Sequence, residues 1–597
     1  MRGTTCRKLA TLVLCGAVFG ACGDEATKED TSNVVQYDAT VDTAPPDTGP
    51  DAAVDLAVDL AVDLQADLGL DLKETPPDAP PDLGIDLPPK PDSDVTGPAV
   101  KSTDPTSNQT QVVLSTKVSA VFTEPIAPAT ITTASFLLDL GSVSIPGATS
   151  AVGDTATFTP TWPLCPLRKY DATLKKTITD LASNPLAADY AWSFTTGDGS
   201  WSTPTKAPTD SYGARVAIAE NGDVFVIWEA STPTDLYARR YDSATGQWDA
   251  ATPIDGATTD VSSGDIAADA AGNAIAVWRQ ASSADLYGAR FDASTKTWST
   301  PVALETAAGS IGSPRVAMSP TGTAMVVFTQ NITTTTSAAY YNYFNGATWS
   351  GRTPIPVSGV RPYLYVRVAG DGLGSFFATW TDRIASGNYT LRANRFDKTS
   401  TSWGTTIALA ANLSSDYHQL TAGPAGAFAI WRYRPQTTYI IAAARFSGTT
   451  WGTPAALSSA LSTYPYGPVI AMDLAGNALA AWSENAVRYS HYAVGTSTWS
   501  ASATASATGD DPGVTMDAAG NGFLLWGENV TGGERLQGAR WLGATKTLQT
   551  AAWVAPARQG YLWDGIPIAA NACGQAALVC VYANEGPYDP PDIVLFR

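Results

Sequence analysis

The chain of 597 residues holds only two histidines, five methionines and six cysteines, and just 15% of its residues are charged. His418 and His491 lie far apart and show no metal-ligand spacing, which excludes a histidine-built zinc centre. Six cysteines in a chain this long exclude a disulfide-dense scaffold. Past residue 22 no stretch is strongly positive, so the electrostatic footprint of a nucleic-acid partner is missing. No glycine-rich loop precedes a helix, and no helix of useful length is evident, which excludes the usual phosphate cradles. The apolar run at residues 9–21 has 13 members, too few for a membrane-spanning helix, which takes about 20. What the chain does have is 18 Trp and 23 Tyr in a weakly charged background. That composition points to an all-β protein and not to a helical bundle.

The net charge of −20 is unevenly spread. Residues 23–95 carry sixteen Asp and three Glu against three Lys, a net of −16. The first 22 residues carry +3, from Arg2, Arg7 and Lys8. The remaining residues, some 500 of them, share −7, an ordinary value that selects no class of partner.

Arg2, Arg7 and Lys8 precede the apolar run at 9–21, the layout of a secretory signal. The run ends in Val18-Phe19-Gly20-Ala21-Cys22, which resembles the lipobox of bacterial lipoproteins, with Phe19 in place of the usual aliphatic residue. The resemblance implies lipidation at Cys22 and a lipid-anchored protein of the cell envelope. Gly23, where an Asp would favour inner-membrane retention, leans toward the outer membrane. Residues 23–97 then contain ten Pro and one aromatic, Tyr37. Asp51, Asp55, Asp59, Asp63, Asp67 and Asp71 recur every four residues, a spacing at which a helix would stack like charges. We read 23–97 as a disordered, self-repelling tether, with a coil reach of roughly 50 Å.

Residues 98–198 read as a β-sandwich. Strand-like runs at 111–114, 118–122, 156–158, 170–174 and 191–195 alternate with turn residues. Ser102-Thr103-Asp104-Pro105, Val121-Phe122-Thr123-Glu124-Pro125-Ile126, Ala156-Thr157-Phe158-Thr159-Pro160, Asp180-Leu181-Ala182-Ser183-Asn184-Pro185 and Trp192-Ser193-Phe194-Thr195 together resemble the bacterial Ig-like domain known from S-layer proteins. The resemblance implies a spacer and presentation module with no catalytic residue, Glu124 included.

Residues 199–597 repeat. A Gly stands six residues before an aromatic at Gly222/Trp228, Gly272/Trp278, Gly322/Phe328, Gly374/Trp380, Gly476/Trp482 and Gly520/Trp526. Gly426/Trp431 is one residue shorter, and Gly574/Cys580 replaces the aromatic. The preceding Asp/Asn-x-x stretch supplies a turn, and the run after the glycine, as in Ala274-Ile275-Ala276-Val277-Trp278, suits a strand buried on both faces. A second unit follows each first one, as in Leu286-Tyr287-Gly288-Ala289-Arg290-Phe291-Asp292 and then Trp298. Two strands per unit give four per repeat, the arithmetic of a β-propeller blade. The last copy lacks its outer strand, and Gly199-Ser200-Trp201-Ser202-Thr203-Pro204 supplies the missing piece, which predicts ring closure by the N-terminal segment. Eight blades follow, or seven if the divergent last copy is no blade. The array resembles uncharacterised eight-bladed repeats of secreted bacterial proteins, a likeness that implies no activity. Sialidase-type and quinoprotein-type turn motifs fit poorly.

Arg240, Arg290, Arg395, Arg445 and Arg540 recur at one repeat position, and His491 replaces them once. Such repetition reads as inter-blade structure. Asp242, Asp292 and Asp397 read as turn residues. The residues that break the pattern are Arg383, Arg432, Tyr433, Arg434, Trp563, Asp564 and Glu585, near the ends of inner strands, where propellers commonly seat ligands in loops. They are the candidate ligand-binding residues; no catalytic residue, metal site or cofactor is expected. Among Cys165, Cys573 and Cys580 a 573–580 bridge is one option. The expectation is a cell-surface binding, adhesion or scaffold protein and not an enzyme. Its expected partners are the membrane through its lipid, and glycans or envelope proteins. A sialidase-like propeller hydrolase acting on glycans is the alternative.

Overall fold

In a computed structural model, the structure describes residues 94–597, apart from short segments at 209–210, 231–234, 257–259, 281–284, 334–335, 357–364, 384–387, 414–416, 435–436, 462–464, 532, 556–560, 563–565 and 584–589. The expected signal segment and nearly all of the tether therefore lie outside the described residues, as do Trp563, Asp564 and Glu585.

The first folded part is a sandwich of two four-stranded antiparallel sheets. One runs in the order Val100–Asp104, Val118–Phe122, Thr155–Pro160 and Gly147–Val152; the other runs Val143–Ser144, Phe136–Leu140, Lys169–Leu174 and Tyr190–Thr195. Strand Val118–Phe122 alternates buried and half-buried residues, the period-2 pattern of a strand with one face on a core. That core holds Phe122, Phe136, Phe158, Tyr170, Trp192 and Phe194. Trp192 Nε1 donates to Pro105 O at 3.0 Å, which satisfies the one polar atom of a buried ring. The predicted strand at 111–114 does not form. Gln111 has φ of 58°, left-handed backbone that interrupts an extended run, and Val112 makes only an isolated bridge to Thr196.

From Ser211 onward the described residues form eight successive antiparallel sheets of four or five strands each. In the first, Ser211–Ile218, Val224–Ala230, Leu236–Asp242 and Gln247–Trp248 pair in chain order. Thr252–Pro253 pairs with the same third strand, so the outer strand comes in two short pieces, and its proline sits on an edge where no ladder donor is needed. The second strands are buried along their length, as Val224–Ala230 illustrates. Six of their tryptophans, Trp228, Trp278, Trp380, Trp431, Trp482 and Trp526, are among the largest fully buried side chains.

Local chemistry explains why the two sequence units travel together. All eight repeat glycines have positive φ, from 82° at Gly520 to 123° at Gly426, where a side chain would be strained. Before the glycine, Asp269 Oδ1 accepts the N–H groups of Ala271 (3.0 Å) and Asn273 (2.8 Å). Asn273 Oδ1 then accepts the N–H of Ala293, in the turn after the third strand, at 3.0 Å. Asp473 and Asn477 repeat this with Val494, and Asp517 and Asn521 with Gly543.

The sheets pack face to face in a closed ring. Apolar clusters join each sheet to the next, and a further cluster joins the eighth to the first through Trp228, Val226, Val579 and Leu595. The eighth sheet is completed from the other end of the domain. Thr205–Lys206 pairs with Asp592–Phe596, Ser200 N donates to Arg597 O at 2.8 Å, and Ser202 N donates to Leu595 O at 2.7 Å. The divergent last repeat thus forms a sheet of its own, and Cys580 takes the buried place of the missing tryptophan.

The recurring arginines lie between sheets. Arg240 sits 5.4 Å from the Phe291 ring, Arg290 5.9 Å from Phe344, Arg445 5.4 Å from Tyr492 and Arg540 5.0 Å from Phe596, each on the following sheet. His491, in the same place, packs on Trp541 at 5.2 Å. Arg395 differs and lies over Phe377 of its own sheet. Asp242 is buried beside Arg240 (2.8 Å) and accepts from Lys296 of the second sheet at 2.7 Å. Burial pushes its carboxyl upward, but the Lys296 hydrogen bond, the Thr245 N–H and Arg240 outweigh it and bring it down to about 2. A carboxyl depressed on folding stabilises the protein above its unfolded value, and that stability is lost as pH falls toward the folded value. Asp242→Asn is therefore expected to lower stability by about 2 kcal/mol at neutral pH. The difference from wild type should vanish between pH ~4 and ~2. Denaturant melts of both proteins across that range check it.

Candidate functional site

The innermost strands of the eight sheets are Ser211–Ile218, Val261–Ala268, Arg315–Met318, Val366–Gly370, His418–Gly423, Tyr466–Met472, Gly509–Met516 and Ile568–Ala570. Each touches the next around the ring, and the last touches the first, so together they surround the central channel. Strand register aligns one position in every sheet. Arg215 pairs with Ile227, Asp265 with Val277, Arg315 with Val327, Arg367 with Thr379 and Gln419 with Ile430. Val469 pairs with Ala481 and Gly513 with Leu525, and Pro567 O accepts the N–H of Val579.

This ring of positions is chemically lopsided. Five consecutive sheets contribute Arg, Asp, Arg, Arg and Gln; the other three contribute Val, Gly and Pro. The three arginines and Asp265 are half-buried. Each guanidinium is held in the same way, with Nη1 donating to the carbonyl of its preceding residue: Ala214 at 2.9 Å, Pro314 at 2.8 Å and Val366 at 3.0 Å. Arg367 Nε donates to Gln419 Oε1 on the next sheet at 3.2 Å. Asp265 Oδ2 accepts the N–H of Val316, also on the next sheet, at 2.9 Å. Burial and then Arg315 pull the Arg367 guanidinium down to about 10, with Arg215 acting in the same sense and Tyr417 and Asp265 opposing. Arg367 stays charged at neutral pH, with Arg315 and Arg215 acting against that charge and Tyr417 and Asp265 acting for it.

The glycine turns mark one end of the channel, and the Ig-like sandwich attaches there. Cys165 of the sandwich is disulfide-bonded to Cys573 in the last glycine turn. Arg168 of the sandwich pairs with Asp517 at 3.3 Å and donates Nη2 to Ala572 O at 3.4 Å. The 573–580 bridge is thereby corrected: Cys573 sits in the turn, whereas Cys580 ends strand Ala576–Cys580 and is buried in the ring's core. A crevice of about 490 Å³ opens beside this junction, lined by Val143, Trp162, Leu164, Leu474 and Ala518 among others.

Of the sequence-derived candidates among the described residues, Arg432 contacts the segments that lead into two inner strands. It is buried, donates Nη1 to Pro465 O at 2.6 Å, and lies 5.9 Å from the ring of Tyr417. Arg432 therefore ties the fifth sheet to the sixth behind an exposed tyrosine. Tyr433 packs on the core between the fourth and fifth sheets. Arg383 ends its strand opposite Tyr389, and exposed Arg434 stacks on Tyr439 at 5.0 Å. These residues do not converge on one point. Tyr365 and Tyr417, immediately before two inner strands, are 51% and 37% exposed and flank the arginine arc. Arg215, Arg315 and Arg367 were not candidates, although a signal exists: each stands seven residues before a repeat glycine. In the sandwich, Asp94, Glu124 and Asp180 bring carboxylate oxygens within 4.8 Å of one another, but Asp180 is engaged by Asn184 and Asp94 by Thr96.

Residues 94–196 match the family model of the bacterial Ig-like domain. No curated protein matches the chain. Solved structures resemble it at low identity. The β-propeller domain of the Trilobed protease from Pyrococcus furiosus is 9% identical with a TM-score of 0.36, over 56% of this chain and 94% of that one. The BP39L lectin from Burkholderia pseudomallei is 13% identical with a TM-score of 0.39, over 58% of this chain and 100% of that one. The WD40 domain of SCAP from fission yeast is 9% identical with a TM-score of 0.38, over 67% and 98%. Likeness at this level carries no function, and the propeller assignment rests on the sheet topology above.

Proposed function

We propose that the protein is a lipid-anchored binding module of the bacterial cell envelope. In this reading Cys22 carries the lipid at the outer membrane, residues 23–97 space the folded part from the bilayer, and the Ig-like sandwich presents an eight-bladed propeller to glycans or envelope proteins. The observation that carries the binding role is the channel ring. A closed scaffold holds oriented polar side chains on one arc of the channel. Cys22→Ser is expected to move the protein from the membrane fraction to the soluble fraction; continued membrane fractionation refutes the anchor.

A second reading, a hydrolase acting on glycans, is favoured by the same arc, because Arg215, Arg315, Asp265 and Tyr417 all bear electrostatically on Arg367 there. Turnover of fluorogenic glycosides by the purified protein, abolished by Tyr417→Phe, would select it over the binding module.

A further inference from the structure

We propose that the arginine arc of the channel is a binding site for an oxyanion carried on a small organic ligand, with a carboxylated saccharide such as a uronic acid as the class of ligand. The proposal rests on the binding-module reading and names its chemistry.

Three observations carry it. First, the arc gathers like charge where the fold does not demand it. Only three of eight equivalent positions are arginine, and the sheets carrying Val469, Gly513 and Pro567 close their part of the ring without charge. Arg315 and Arg215 both disfavour the charge on Arg367, a disadvantage that an anionic ligand lessens. Secondly, the guanidiniums are preset. The same Nη1 bond to the preceding carbonyl fixes Arg215, Arg315 and Arg367 alike, so little side-chain freedom is lost on binding. A fixed guanidinium fork matches carboxylate and phosphate oxygens in pairs. Thirdly, the surroundings suit a sugar. Asp265 and Gln419 supply carbonyl-type acceptors for hydroxyl groups, Tyr365 and Tyr417 are exposed immediately before the strands that carry Arg367 and Gln419, and the remaining sheets bring uncharged Val469, Gly513 and Pro567 to the ring.

Galacturonic acid trimer, the neutral galactose trimer and inorganic phosphate serve as probes in calorimetric titrations of the full chain. The acidic trimer is expected to bind at least tenfold more tightly than the neutral one. Arg315→Ala and Arg367→Ala are each expected to weaken it at least tenfold, and raised salt should weaken it further. Gln419→Glu, which is isosteric, still accepts from Arg367 Nε and leaves every arginine in place, should also weaken it by adding negative charge, and this keeps the test independent of any folding defect in the arginine variants. Competition by phosphate would identify the oxyanion itself as the feature recognised; failure of phosphate to compete would assign recognition to the carboxylated sugar. Equal affinity for acidic and neutral trimers, no binding of any probe, or an affinity indifferent to Arg315, Arg367 and Gln419 would overturn the proposal. Pull-down of envelope material by both wild type and Arg315→Ala/Arg367→Ala, alongside such a failure, would leave the binding-module reading standing. Loss of envelope binding by wild type itself would end that reading as well.

Discussion

The variant Ser200→Pro/Trp201→Ala/Ser202→Pro is expected to open the ring and to make the protein associate. The two prolines remove the N–H groups that donate to Arg597 O and Leu595 O, and Ser202→Pro also removes the hydroxyl that accepts the Leu595 N–H at 3.0 Å. Trp201→Ala removes a ring packed 4.8 Å from Phe523 and 5.2 Å from Phe596, which joins the seventh and eighth sheets. A few hydrogen bonds at about 1 kcal/mol each, plus the buried part of an indole, come to a loss on the order of 5 kcal/mol. The exposed strand Asp592–Phe596 then presents unpaired backbone, a template for pairing with another copy. Thermal melts should show a lower midpoint, and light scattering should show mass rising with concentration. Trp298→Ala, which trims an outer strand that closes nothing, should lower the midpoint without association. A triple variant that stayed monomeric with a wild-type midpoint would refute closure by this segment.

Cys573→Ser is expected to cost about 2–5 kcal/mol and to uncouple the sandwich from the ring. The Cys165–Cys573 bond spans a sequence separation of 408 residues, so it restrains a very large loop of the unfolded chain. Without it the junction keeps Arg168–Asp517 at 3.3 Å, the Arg168–Ala572 hydrogen bond at 3.4 Å and Arg540–Asp198 at 3.4 Å, none of which restrains the unfolded chain as a covalent link does. Calorimetry should resolve two transitions in Cys573→Ser where wild type unfolds more cooperatively, and a reducing agent should reproduce the change in wild type alone. A single unchanged transition would show that the non-covalent junction suffices.

The repeat was legible because its chemistry is local. A glycine at positive φ, an acceptor three residues before it and an aromatic six residues after it are demands of one hairpin, so they recur wherever the hairpin does. The closing strand was legible for a related reason: a truncated last copy and an orphaned first piece must complement each other. The strand predicted at 111–114 failed because alternation of polar and apolar residues cannot report a left-handed backbone at Gln111. Arg432 is spent on holding Pro465 and Tyr417, and Arg434 on Tyr439, because a residue at a strand end is as readily used for packing as for a ligand.

The sequence by itself determined the all-β character, the Ig-like segment and the periodic array with its inter-sheet arginines, all of which depend on residues within about one repeat of each other. Only the tertiary structure decided that Cys165 meets Cys573 and that Arg215, Asp265, Arg315 and Arg367 share one arc of a channel. Each of those residues stands on its own sheet or domain, and their proximity comes from closure of the ring. Closure brings the first strands of distant repeats around one axis, and no local pattern along the chain encodes that meeting.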